Sequence, residues 1–271
     1  MQTGSENPVL AHNHQSARMW SAGGAGYDQV SFAISDALAH AAQRLAPGRD
    51  ARVLDCATGT GWTARNLARM GAQVTAIDIA GELLDAARTL SRGIEPAIDY
   101  RLADVEALPF ADGTFDGVIS TFGVMFAGDH RQAASELARV CRRGGRLVLA
   151  TWRPGGAVAE FFGVIAAHTK EPPPEPSPML WGDPDYLQGL IGSAFDLTFE
   201  SGVNHAYHAS PAAIWSWYLN GFGPMRMIHQ SLDADGQTAL RRDVDAYHEH
   251  YRVPAGLCVT RDYLVTIGTR R

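Results

Sequence analysis

Apolar residues recur at helical spacing from Tyr27 to Leu45 and stop before Pro47 and Gly48, which predicts a helix behind a polar, glycine-rich start that frays up to about Gly26. From Ala51 the texture changes. ARVLDCA (51–57) and AQVTAID (72–78) are short apolar runs of the kind buried parallel strands carry, and Trp62–Met70 between them has helical spacing closed by Gly71. Gly81–Ser91 is again helical. The alternation continues with AIDYRLA (97–103) as a third strand, FDGVIST (115–121) as a fourth, Asp129–Arg143 as a helix and RLVLATW (146–152) as a fifth strand. Asp129 followed by Gln132 reads as a capping box, and Gly144 with Gly145 as the helix stop. Strands alternating with helices imply a parallel sheet covered on both faces, with any ligand beyond the carboxyl ends of the strands.

After Trp152 the rhythm breaks. A helix is expected over Ala157–Lys170, and EPPPEPSPMLWGDP (171–184) reads as a semi-rigid connector, because proline removes backbone donors and holds the chain extended. Ser210 and Pro211 open a helix with Trp215, Tyr218, Leu219 and Phe222 on one face. Another helix offers Leu240, Val244, Tyr247 and Tyr251, and YLVTIGT (263–269) alternates like a last strand. No internal repeat is visible.

With 46% apolar and 19% charged positions in 271 residues, the chain is too hydrophobic to be disordered. A net charge of -6 argues against nucleic-acid or anionic-lipid partners. The first twenty residues lack a secretion signal, and apolar runs such as 161–167 are too short to cross a bilayer, so a cytoplasmic protein is expected. Cys56, Cys141 and Cys258 have no zinc or cluster spacing, which predicts reduced core thiols and no metal.

The chemistry concentrates in DCATGTG (55–61), between the first strand and the next helix. Gly59 and Gly61 permit a tight turn and close ligand approach, and the helix start presents free amides. Gly59, Gly61 and Ala64 fit the dinucleotide pattern G-x-G-x-x-G/A, and Asp78 ends the second strand where a ribose-binding acid belongs, so a nicotinamide oxidoreductase competes. Asp55 discriminates. A carboxylate facing a pyrophosphate is unfavourable by about 4 kcal/mol per charge pair at about 4 Å and an effective dielectric near 20, whereas an ammonium and a sulfonium reverse the sign.

VLDCATGTG, VTAIDIAGELLDAAR, LADVEALPFADGTFDGVIS and ARVCRRGGRLVLATW, taken together and in this order, resemble the class I S-adenosylmethionine-dependent methyltransferases, in particular the ubiquinone/menaquinone-type small-molecule group. The resemblance covers Val53 to Trp152. It implies a Rossmann-like, doubly wound, seven-stranded α/β sheet, mostly parallel with the last strand antiparallel, and a variable helical cap. The corresponding division is a cap segment at 1–50, a cofactor-binding core at 51–153 and a region at 154–271 that supplies substrate cover and the final strands.

It also implies that Asp55, Ala57, Gly59 and Gly61 surround the methionine portion of S-adenosylmethionine, and that Asp78 accepts from the ribose hydroxyls with Ile79 beside the adenine. Asp104 would accept from the adenine amino group, the Val105 backbone would read the ring edge, and Thr121 would line the cofactor or substrate side. Ala57 departs from the glycine common in the family. Tyr27, with Trp20, matches aromatic positions that fold over the cofactor in similar enzymes, and Asp116 reads as a structural acid outside the site.

The expected activity is methyl transfer to an O, N or C atom of a small apolar or aromatic acceptor, by a monomer or homodimer. A protein that binds the cofactor without transferring methyl is a further alternative. His130, after the fourth strand, is the positional candidate for a base; His205, His208, His229, His248 and His250 have no motif. No NPPY-type tetrapeptide points to nucleic acid, and no CxxxCxxC points to radical chemistry.

Overall fold

A computed structural model describes residues 7–271. Residues 1–6, part of the segment expected to fray, lie outside the described residues. The rest of that segment is ordered, a correction to the expectation: a single turn at Ala11–Asn13 leads into α1 (His14–Ser21) and a second turn at Gly24–Gly26. It is tied down far along the chain, where Asp104 Oδ2 accepts from the Leu10 amide at 3.1 Å and the Asn13 side chain at 2.8 Å. The helix expected over 27–45 is two, α2 (Tyr27–Phe32) and α3 (Ser35–Leu45), because Ile34 between them leaves helical geometry with φ -124° and ψ 16°.

β1 (Arg52–Cys56), α4 (Trp62–Arg69), β2 (Gln73–Asp78), α5 (Gly81–Leu90), β3 (Asp99–Leu102) and β4 (Phe115–Thr121) follow the expected alternation. α6 (His130–Val140) is shorter than expected. Its N-cap is Asp129, whose side chain accepts from the amides of Arg131 and Gln132, an interaction worth about 1 kcal/mol. Gln132 turns its amide to the Glu106 carbonyl, so the capping box is half formed. Gly144 and Gly145 lie within β5 (Cys141–Trp152) and do not end the helix; Cys141 is already extended and pairs with Phe115.

α7 (Ala157–Ala166) also stops short of its expected end. α8 (Pro184–Ile191), β6 (Phe195–His208), α9 (Pro211–Gly221), α10 (Gly223–Ser231), α11 (Ala234–Glu249), β7 (Arg252–Val253) and β8 (Gly256–Arg270) complete the chain. Ser210 caps α9 and Pro211 occupies its first turn, as expected. α8, β6 and α10 have no counterpart in the sequence reading.

The sheet runs β3-β2-β1-β4-β5-β8-β6, with the two-residue β7 added to β8 outside this path. β1 to β5 pair in parallel, and β8 is antiparallel to both neighbours, so the mostly parallel sheet with an antiparallel last strand is as expected. The central strands are apolar on both faces, with Val53, Leu54, Val118, Ile119, Leu147 and Val148 fully buried. α3 packs on β4 and β5 and belongs to the layer covering the sheet.

The far ends of β6 and β8 run past the sheet, pairing through His208 and Leu257, and this arm carries the α9–α11 cap. The cap has its own core, with Phe161, Ile165, Trp215, Phe222, Met225, Leu240, Val244 and Tyr247 buried together and Trp20 and Tyr27 packed against them. β1 lies between β2 and β4, so the winding reverses there and opens a crevice beyond the strand ends.

Candidate functional site

That crevice is a cleft walled by the loops at the strand ends. Ala57, Thr58 and Gly59 from the β1–α4 loop, Asp78 and Ile79 after β2, Asp104 and Val105 after β3 and Thr121–Gly123 after β4 line it. Trp20, Tyr27 and Asn13 close it from the N-terminal side. Eight of the ten expected cofactor positions therefore meet in one place: Tyr27, Ala57, Gly59, Asp78, Ile79, Asp104, Val105 and Thr121. Asp55, Gly61 and the expected base His130 are not on its wall.

Asp78 is 6% exposed, and its two oxygens accept from the Gly59 and Ala80 amides, each at 2.8 Å. Each carboxylate oxygen retains a lone pair for another donor. Burial pushes its carboxyl up to about 6, against the pull of the backbone donors. The glycine beside it is favoured by its φ of +58°, and a Cβ there would crowd the Tyr27 ring at 3.2 Å.

Asp55 is fully buried behind the loop. Its Oδ2 accepts from the Thr58 hydroxyl at 2.6 Å, and its Oδ1 has no partner among the described residues. Burial, with the neighbouring Asp78 charge adding, pushes its carboxyl up to about 7. It holds the loop from beneath through Thr58 and lies off the cleft wall, a correction to the expectation that it faces the ligand. Gly61 has a packing reason for being glycine: at φ +84°, a Cβ would collide with the Tyr100 hydroxyl. Ala57 adopts φ +54°, so the family's glycine preference has a backbone reason here.

Asp104 is buried and already engaged. Oδ1 takes the Glu106 amide at 3.0 Å, and Oδ2 takes the two donors of the N-terminal strap. One lone pair on Oδ1 is left for a ligand. Thr121 bonds Thr63 through their hydroxyls at 2.9 Å. His130 is 2% exposed and packs edge-on to Trp181, with Nδ1 2.8 Å from the Tyr186 hydroxyl. Burial lowers its pKa, and it neither faces solvent nor reaches the cleft.

The sequence reading missed what fixes Tyr27. Asp28, next to it, accepts from Thr60 Oγ1 at 3.0 Å, Trp62 Nε1 at 2.7 Å and Arg65 Nη2 at 3.3 Å, pinning α2 to the loop. No local pattern announces contacts more than thirty residues apart. Behind Tyr27 and Phe122 lies a second cavity, walled by aromatic side chains from both β5 and the cap. Phe122, itself at φ +59°, stacks on Trp152 at 4.0 Å and belongs to both cavities. Tyr218 and Phe222 line this second space, whereas Trp215 and Met225 are cap core.

His248, which no motif singles out in the sequence, stands beside Tyr218. Its Nδ1 lies 2.7 Å from the Val244 carbonyl, which only accepts, so Nδ1 carries the proton and Nε2 is an acceptor 3.3 Å from the Tyr218 hydroxyl.

A crevice at the β1/β4 switch point, an acid at the end of β2 and a glycine turn after β1 define a nucleoside-binding α/β enzyme. The family model described as a methyltransferase domain matches residues 54–149. A demethylmenaquinone methyltransferase of Clavibacter sepedonicus is 34% identical over 212 residues, covering 76% of this chain and 78% of that protein. An uncharacterized protein of Mycobacterium tuberculosis is 40% identical over 215 residues, covering 74% of this chain and 78% of that one. The chain belongs to the methyltransferase-domain family of class I S-adenosylmethionine-dependent methyltransferases.

Among solved structures, the YcgJ protein from Bacillus subtilis superposes with a TM-score of 0.62 at 17% identity, over 87% of this chain and 98% of that one. A Haemonchus contortus N-methyltransferase in complex with S-adenosylhomocysteine gives 0.56 at 15% identity, over 87% and 52%. At these identities the likeness is one of fold. The enzyme is a methyltransferase and its cofactor is S-adenosylmethionine, which removes the nicotinamide alternative.

Proposed function

We propose that the chain transfers a methyl group to a small aromatic or apolar acceptor held in the cavity behind Tyr27 and Phe122. The observation carrying this reading is the wall shared by the two spaces: Trp20, Tyr27, Ile34, Phe122 and Phe126 line both, and the second is otherwise almost wholly aromatic and aliphatic.

The cleft residues fit the cofactor. Asp78 retains a lone pair on each oxygen for ribose hydroxyls, and Asp104 retains one acceptor for an adenine amino group. Ile79 and Val105 supply the apolar flanks of a base. When bound, S-adenosylmethionine supplies an electrophilic methyl group on a good leaving group. The protein's part is positioning and water exclusion, which the Tyr27, Trp20, Phe122 and Phe126 rings shared by the two walls provide, Trp20 packing edge to face on Tyr27.

For a hydroxyl acceptor, Tyr218 and His248 form a proton route. Burial holds Tyr218 well above the ordinary phenol range and lowers the pKa of His248, so both are neutral near pH 7 and the hydroxyl relays a proton to Nε2. A cytoplasmic setting agrees with three free cysteines, two of them buried, and with no described helix long and apolar enough to cross a membrane.

The test is transfer of labelled methyl to two panels, one of aromatic hydroxyls and amines and one of polar aliphatic amines, sugars and amino acids. Label is expected in the aromatic panel. Label confined to the polar panel overturns the reading.

A further inference from the structure

The aromatic cavity holds one charged side chain among the described residues that line it, Arg261. It enters from the overhanging part of β8, directly across from Asn204 on β6. Nε donates to Asn204 Oδ1 at 2.8 Å, and Nη2 donates to the Ala33 carbonyl at 2.7 Å. The guanidinium carbon lies 5.7 Å from the centre of the Trp152 ring. No carboxylate among the described residues comes within ion-pair distance of it. The nearest acid in the network, Asp36, is reached only through Asn204, whose Nδ2 donates to Asp36 Oδ1 at 2.6 Å. Asp36 also takes the Ala37 amide, at 2.8 Å.

This is an unusual use of arginine. Two bonds to neutral acceptors hold the planar group in place, while Nη1 makes no hydrogen bond among the described residues and Nη2 keeps a second N–H. The Nη1/Nη2 end of a guanidinium matches the two oxygens of a carboxylate, and rings around the pair exclude the water that would weaken it. A site that needed only to tie β6 to the α2–α3 junction has no use for a permanent charge facing an apolar space.

We infer that the methyl acceptor is an aromatic carboxylate, its ring enclosed by Phe122, Trp152, Phe161 and Tyr218 and its carboxylate held end-on by Arg261. This rests on the reading of the cavity as the acceptor site. Arg261 is a positioning and specificity residue: it sets which end of the acceptor lies deep and which atom is presented at the Tyr27–Phe122 boundary.

The test is calorimetry on the full chain, with S-adenosylhomocysteine present, using 2-naphthoate and its neutral analogue 2-naphthamide as probes. The wild-type protein is expected to bind the carboxylate about tenfold to a hundredfold more tightly, the range for hydrogen bonds to a charged partner. In Arg261→Gln the preference should disappear, and in Arg261→Lys it should return in part, since lysine restores charge without the fork. Equal affinity of the two probes for the wild-type protein overturns the inference while leaving the aromatic acceptor site standing, and this comparison does not depend on any variant folding. Failure of both probes to bind overturns the acceptor site itself.

Discussion

Raising the pH from 5 to 8 should tighten S-adenosylhomocysteine binding, because the buried acid on the cleft wall, Asp78, must be ionised to serve it. Asp78, held at about 6, is roughly nine-tenths protonated at pH 5 and almost fully ionised at pH 8, and its ligand-facing lone pairs are the ones a proton takes. If only the carboxylate accepts both ribose hydroxyls, affinity gains about tenfold over that interval from Asp78 alone.

The sign for the free protein is opposite. Asp78 and Asp55 both have folded pKa values raised above 3.8, so their stabilising contribution is complete below about pH 4 and is lost as pH rises through about 6 for Asp78 and 7 for Asp55. For Asp78 the rise from 3.8 to about 6 corresponds to about 3 kcal/mol at full ionisation, which ligand donors recover on binding. Isothermal titration across pH 5 to 8, in buffers of different ionisation heat, reads both affinity and proton release. Affinity that is flat or falls with rising pH, or binding without proton release near pH 6, would refute the reasoning.

Other consequences are equally direct. Asp78→Ala should lower S-adenosylhomocysteine affinity at least about tenfold by calorimetry, since it removes two charged acceptors; unchanged affinity would remove the ribose role. Gly61→Ala should cost about 2–4 kcal/mol in denaturant unfolding, from a disfavoured φ and the Tyr100 collision, and Tyr100→Phe in the same chain should recover part of it. Asn13→Ala strips a shared donor from the buried carboxylates of Asp104 and Glu106, and should raise hydrogen exchange across residues 7–26. Tyr218→Phe should depress turnover of a hydroxyl acceptor while leaving S-adenosylhomocysteine affinity unchanged, measured by initial rates and calorimetry side by side.

The core from Arg52 to Leu90 was readable because its information is local: apolar runs make strands, the 3.6-residue period makes helices, and the loop glycines mark the turn. Gly59 and Asp78 followed from that local order, and Ala57 and Ile79 from the family resemblance. Elsewhere the decisive contacts are distant. Residues 7–26 look featureless, yet Asn13 is fixed by Asp104, 91 positions away. β6 escaped notice because it is an edge strand, mostly partly exposed, with polar residues on its open face.

Direction, too, is invisible in a motif. Asp55 and Gly61 belong to the right segment, but one sits in β1 beneath the loop and the other abuts Tyr100. His130 had the right address and the wrong orientation, and His248, with no motif, is the histidine that reaches the aromatic cavity through Tyr218.

A crystal structure with S-adenosylhomocysteine bound would test the central claim most directly. The ribose should sit on Asp78, the base between Ile79 and Val105, and the thioether sulfur should face the boundary formed by Tyr27 and Phe122. A sulfur directed toward any other wall, or a ribose away from Asp78, would contradict the account.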